Sequence, residues 1–203
     1  MAIKAFVFDC GGVLLRDGNL RTYERWAERL GVSAEELGER LWCGQTRVLA
    51  ECGQITGGEF WQRAGAELGL EDEDEIAKLQ EDLWNAWVVD QEVLCLIDRL
   101  GERYRLALLS NATDALEGAL SARYGVDERF ETIVTSARVG VAKPEEGIYR
   151  EVLDRLQLEP REVVFVDDRA ENVTAAAALG MHIIWFVSAK ELRRQLRVYL
   201  SEE

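Results

Sequence analysis

Chemistry-bearing residues in this 203-residue chain stand at the ends of apolar runs. Phe6-Val7-Phe8 ends at Asp9, with Gly11 and Gly12 close behind. Leu106-Ala107-Leu108-Leu109 ends at Ser110-Asn111, and Val163-Val164-Phe165-Val166 ends at Asp167-Asp168. Lys143-Pro144 lies between the last two. A buried strand that stops at a carboxylate and turns on glycine delivers one Asp to the mouth of a sheet, where backbone can approach a ligand. Such an Asp is a candidate nucleophile or metal ligand; taken alone, it reads equally as the end of an ordinary turn. The other stations would add a hydroxyl donor, a cation and a carboxylate pair. Adjacent carboxylates at a strand end call for a cation nearby, although an Asp pair there can also simply cap a helix.

Positioning such groups requires strands that end on one edge. Strand patterns fall at about 3–9, 105–109, 131–135, 162–167 and 182–187. Helical patterns fall near 91–103, 113–124, 145–157, 170–179 and from 189 onwards. Strict alternation predicts an α/β fold, a doubly wound, Rossmann-like parallel sheet with ligands at the carboxyl ends of its strands. Between about Asn19 and Asp90 the period is helical throughout. Leu20, Tyr23, Trp26, Ala27 and Leu30 form one stripe that stops at Gly31. Ser33 to Glu36 reads as a capping box, and Thr56 to Leu70 as a further helix. The acidic run Glu71 to Glu75 supplies favourable charge at a helix start rather than a metal site. The predicted division is therefore 1–15 with 91–203 as the core, and 16–90 as an inserted all-helical unit.

In order and context the four stations resemble the motifs of the haloacid dehalogenase-like hydrolase superfamily, over nearly the whole chain. The resemblance is closest to the branch with a helical cap between the first two motifs, which includes many small phosphatases. It implies a hydrolase of small phosphate monoesters. Asp9 would be the nucleophile, Ser110 the donor to the phosphoryl oxygens, Asn111 the residue fixing that loop, and Lys143 the fixed positive charge. It further implies Mg²⁺ held by Asp9, the Gly11 carbonyl and Asp168, with Asp167 neighbouring and Asn172 behind. An all-oxygen site that retains waters suits this ion.

One position departs from the pattern. The phosphatases carry a second Asp two residues after the nucleophile to protonate the leaving group, and here that position is Gly11. Loss of general acid help costs about 10²–10⁴-fold in rate. A good leaving group, such as the anomeric oxygen of a sugar phosphate, a substitute acid from the cap, or a loss of turnover would each accommodate the change. Asp17 reads as a surface turn residue. The alternatives are a metal-independent 2-haloacid-type dehalogenase, against which Asp167-Asp168 counts, and a catalytically weak regulatory protein that binds a phosphate ligand.

The net charge of −14 argues against general nucleic-acid binding, which demands clustered Lys and Arg. No stretch is long enough to span a membrane, and Ile3 to Phe8 is too short for a signal-peptide core, so a cytoplasmic chain is expected. Cys10, Cys43, Cys52 and Cys95 lack metal or redox spacing and read as reduced thiols. Helical spacing assigns Trp42, Trp61, Trp84 and Trp87 mostly to core packing. Arg47 reads as solvated, and His182, the only histidine, as a satisfied structural residue within a strand.

Overall fold

The computed structural model describes residues 2–200. The chain opens with β1 (Ala5–Phe8) and β2 (Leu15–Asp17), then five helices follow: α1 (Leu20–Leu30), α2 (Ala34–Trp42), α3 (Gln45–Glu51), α4 (Gly57–Glu67) and α5 (Glu73–Ala86). After β3 (Trp87–Val89) come α6 (Gln91–Gly101), β4 (Arg105–Ser110), α7 (Leu116–Ala119), β5 (Thr132–Thr135) and α8 (Ser136–Val139). The remainder is α9 (Glu146–Leu156), β6 (Val163–Asp167), α10 (Ala170–Ala178), β7 (His182–Trp185) and α11 (Ala189–Leu200).

The main sheet has the order β5-β4-β1-β6-β7 and every pairing in it is parallel. Side chains alternate across it as the pleat requires. Phe6, Phe8, Leu106, Leu108, Val164 and Val166 enter one core with α6 and α11. Ala5, Val7, Ala107, Leu109, Val163 and Phe165 enter the other, beneath α9 and α10. The chain leaves central β1 towards β4 and returns on its other side at β6. Strand order therefore reverses at β1, where a crevice opens beyond the strand ends.

Helices α1 to α5 share a third cluster built from Trp26, Leu37, Leu41, Phe60, Leu79 and Leu83, among others. Local signals set their ends. Gly31 closes α1 in the left-handed conformation, and Ser33 accepts from Glu36 N at the start of α2. Thr56 and Glu59 form a reciprocal capping box on α4. Asp72 caps α5, with Glu73, Asp74 and Glu75 in its first turn, as the sequence predicts. Gly65 lies so close to Ile76 that a Cβ there would be 2.6 Å from it, which brings α4 tightly against α5.

Several elements differ from the sequence expectation. Residues 15–17 and 87–89 pair as a short antiparallel ribbon where the chain enters and leaves the helical unit. Trp87, read as helical, is the first residue of β3. Helix α3 has no sequence counterpart, and the helix expected over 113–124 is four residues of α-helix followed by a π-helical turn at Leu120–Tyr124. The helical unit is tied to the sheet unit by polar contacts. Gly57 N donates to Asp114 Oδ1 at 2.8 Å, Arg123 forms a two-pronged pair with Glu81, and Tyr124 Oη donates to Trp84 O at 3.0 Å.

Candidate active site

Parallel pairing brings the ends of β1, β4 and β6 together, and with them Asp9, Ser110 and Asp167. All three are buried, as is Lys143. The Lys143 ammonium has three donors and three acceptors: Asp9 Oδ1 at 2.8 Å, Asp167 Oδ2 at 2.7 Å and Leu109 O at 3.0 Å. Asn111 fixes the segment that delivers it. Its Nδ2 donates to Lys143 O at 2.8 Å, and its Oδ1 accepts from Lys143 N at 2.7 Å. The Lys143–Pro144 peptide is cis.

Asp9 is held from one side only. Oδ1 accepts from Cys10 N at 2.7 Å as well as from Lys143, while Oδ2 has no partner among the described residues. Burial pushes the Asp9 carboxyl up to about 7 against the pull of the Lys143 ammonium, and Asp167 adds to the rise. For Lys143, burial alone would lower the pKa, but Asp9 and Asp167 reverse this and raise it, so the lysine is charged. The Cys10 thiol is buried with Phe6 and Phe8, and burial pushes its pKa up, which leaves it a small apolar side chain.

The adjacent carboxylates divide their surroundings. Asp167 is fully buried and spends both oxygens inside the protein. Oδ1 accepts from Arg169 N at 2.8 Å, and Asn172 Nδ2 lies 3.0 Å from each oxygen. Asp168 is partly exposed beside Gly12, and burial followed by the Asp167 charge raises its pKa. Gly12 is at φ +82°, and a Cβ there would fall 2.3 Å from Asp168 Oδ2. The glycine is required by backbone conformation and by this close approach. Trp185, which sequence reasoning did not single out, donates from Nε1 to Asp168 O at 2.9 Å.

Oxygen atoms of Asp9, Asp167 and Asp168 lie within 4.8 Å of one another. Three carboxylates against one buried ammonium leave net negative charge, and every candidate donor is a hard oxygen. This set fits Mg²⁺. Because the Asp167 oxygens already have protein partners, Asp9 and Asp168 are the side chains with capacity to hold the ion.

Above these groups lies a cavity of about 430 Å³, within the size range of small-molecule sites. Its floor is Asp9, Ser110, Asn111, Lys143 and Asp168. Trp42, Phe60, Trp61, Trp84 and Trp87 form its walls. The tryptophans pack in or against the hydrophobic clusters as their spacing implies, but they are not core filling alone. Trp61 is buried in the helical cluster, but all four reach the cavity. Arg47 is not solvated either. Its side chain is 16% exposed, pairs with Glu51 at 2.8 Å, and lies 5.1 and 5.7 Å from the Trp42 and Phe60 ring centres. Neither α2 nor α4 alone signals this; the site exists only once they pack. His182 is exposed on edge strand β7 rather than buried, and Asp17 is exposed and away from the cavity lining.

The chain is similar to known proteins over most of its length. The family described as haloacid dehalogenase-like hydrolase matches residues 3–180. Sesquiterpene phosphatase astK of Aspergillus oryzae is 28% identical over 179 residues, covering 88% of this chain and 87% of that protein. (S)-2-haloacid dehalogenase 1 of a Pseudomonas species is 29% identical over 196 residues, covering 90% and 83%. Other curated relatives are longer, and the match spans between 5% and 50% of them. The HAD family enzyme bt-2542 of Bacteroides thetaiotaomicron, solved with magnesium and inorganic phosphate, superposes with a TM-score of 0.73 at 24% identity, covering 90% of this chain and 93% of that one. At this identity the likeness concerns the fold. The match across most of the sequence is of another order, and the chain belongs to the haloacid dehalogenase-like hydrolases.

Proposed function

We propose that this chain is a Mg²⁺-dependent phosphomonoesterase that works through an aspartyl-phosphate on Asp9. The observation that carries it is the state of Asp9, whose Oδ1 is pinned by Lys143 and Cys10 N while Oδ2 is unpartnered at the floor of a ligand-sized cavity. Oδ2 attacks phosphorus as the bond to the leaving oxygen breaks, and a proton from water completes the alcohol. Water then attacks phosphorus, releases inorganic phosphate and restores Asp9. Lys143 opposes the charge of the phosphoryl oxygens, and Ser110 offers its hydroxyl to them. Asn111 and Asp167 hold Lys143 in place. Mg²⁺ bound by Asp9 and Asp168 would neutralise the carboxylates and polarise the phosphoryl group. Helices α1 to α5 act as a cap that covers the reaction.

Phosphate release from p-nitrophenyl phosphate is the test. Turnover with Mg²⁺, loss of at least about 10²-fold on chelation, and restoration by added Mg²⁺ are expected. Chelator-resistant chloride release from 2-chloropropionate, with no phosphate from any ester, would instead establish the dehalogenase chemistry carried by one of the relatives.

The leaving-group side of the site is not equipped with an acid at residue 11. A Cβ at Gly11 would meet only the Trp87 indole, at 3.9 Å and beyond, which is ordinary contact. Gly11→Asp is expected to raise kcat/KM on a primary alkyl phosphate by about 10-fold or more, within the usual span of acid catalysis. On p-nitrophenyl phosphate, whose leaving group departs unaided, the change should be under about threefold. Equal effects on both esters would argue that leaving-group protonation is already supplied from elsewhere.

A further inference from the structure

We infer that the substrate is the phosphate monoester of an uncharged, apolar alcohol with a flat aromatic or unsaturated body, bound between the indoles of the cap. This deepens the phosphomonoesterase proposal and rests on it. Apart from Arg47 and Glu51, the charged side chains of the cavity stand at one end. Its floor presents the charged and hydrogen-bonding groups that a phosphoryl group needs, whereas its walls present rings. Trp42 stands edge-on to Trp61 and to Trp87, with centroids 6.2 and 6.5 Å apart, and Phe60 stands edge-on to Trp61 at 5.1 Å. Mutual support of this kind fixes the rings before any ligand arrives, and leaves faces and edges towards the space.

Two of the polar groups among the cap rings already engage protein partners. Trp42 Nε1 donates to Tyr23 Oη at 3.2 Å. Arg47 Nε meets Glu51 at 2.8 Å, and its guanidinium lies against two rings, so cation and carboxylate neutralise one another in place. A polyol entering this space would lose its water against a wall made mostly of rings, a cost of the order that makes buried polar groups selective against the wrong ligand. An apolar body loses nothing and gains by burial. At Gly11 the nearest wall is likewise the Trp87 ring, not a polar group.

The test compares primary alcohols of similar acidity, so that size and polarity rather than leaving-group chemistry decide. With Mg²⁺, kcat/KM is measured for 2-naphthylmethyl phosphate, benzyl phosphate and glucose 6-phosphate, with glucose 1-phosphate as the anomeric ester and p-nitrophenyl phosphate as the general probe. The expected order is naphthylmethyl above benzyl above both sugars, with about 100-fold between the extremes. Trp42→Ser and Trp84→Ser should each narrow that ratio by about tenfold, mainly through KM. Sugar esters equal to or better than naphthylmethyl phosphate, with p-nitrophenyl phosphate hydrolysed, would overturn the inference and leave the phosphomonoesterase standing. If no ester is hydrolysed, the phosphomonoesterase reading fails, and binding decides the cavity. Quenching of tryptophan fluorescence by 2-naphthylmethylphosphonate at concentrations at least tenfold below those needed for glucose 6-phosphate supports an apolar site, and equal affinities refute it.

Discussion

Asp9→Asn is expected to reduce phosphate release by at least about 10³-fold while the protein stays folded. The amide keeps the shape of the carboxylate and can still accept from Cys10 N and Lys143, but it cannot form the acyl phosphate. Its effect on stability should run the other way. Asp9 and Asp167 share one buried ammonium with Asp168 close by, and burial disfavours the ionised form of Asp9. Removing one negative charge leaves Lys143 paired with Asp167 and lowers the repulsion between carboxylates. In the absence of metal, the melting temperature of the variant should equal or exceed that of the parent. Added Mg²⁺ should raise the parent's melting temperature by more than the variant's, because only the parent retains the full charge for the ion. Thermal melts with and without Mg²⁺, set beside steady-state phosphate release, check both halves. Turnover within tenfold of the parent would place the nucleophile elsewhere.

The alternating half of the molecule was legible because its determinants are local and strong. Runs such as Leu106 to Leu109 and Val163 to Val166 are too apolar and β-prone to be anything but buried strands, and the intervening helices have clear periods. Parallel topology then places the strand-end residues on one edge, so the convergence of Asp9, Ser110 and Asp167 was readable before any coordinates. The ribbon of β2 and β3 was not, since three residues offer no alternation. Trp87 also continues the stripe of α5, and only pairing with Asp17 assigns it to a strand. Helix α3 begins at Gly44 without a side-chain cap and buries only Thr46 and Ala50, so it lacks both a start signal and an apolar stripe.

Within the candidate site, residue types were legible and partnerships were not. A Lys-Pro pair says nothing of the two carboxylates and one carbonyl that the ammonium meets, because these come from β1, β6 and β4. The resemblance gives Asn111 the task of fixing its loop, but its grip on the backbone of Lys143 depends on a contact across 32 residues. Arg47 is the sharpest case. Its ordinary solvated reading fails because two rings, one from α2 and one from α4, close around it. Local periodicity correctly gave Trp42 and Trp61 to helices, yet it could not say that the apolar stripe would continue past the core into a cavity wall.

Lys143→Met is expected to cost both stability and catalysis, and a second substitution separates the two. The lysine is the sole cation in contact with Asp9 and Asp167 among the described residues. Methionine fills much of its volume but leaves two buried carboxylates facing one another, a situation that costs about 3–5 kcal/mol when one partner of a buried ion pair is removed. Denaturant melts should show that loss in the metal-free protein. In Lys143→Met with Asp167→Asn, one of the stranded charges is gone and Asn172 can still bond the new amide, so most of the stability should return. Activity should not return with it. The phosphoryl oxygens would still lack their fixed positive charge, and phosphate release should remain depressed by about 10²–10³-fold in both variants. Lys143→Arg is no substitute, because a planar guanidinium cannot reproduce the three-way contact of the ammonium in a space with no exposure to relax into. If the double variant recovered turnover along with stability, Lys143 would be a structural counter-ion to Asp167 rather than part of the chemistry.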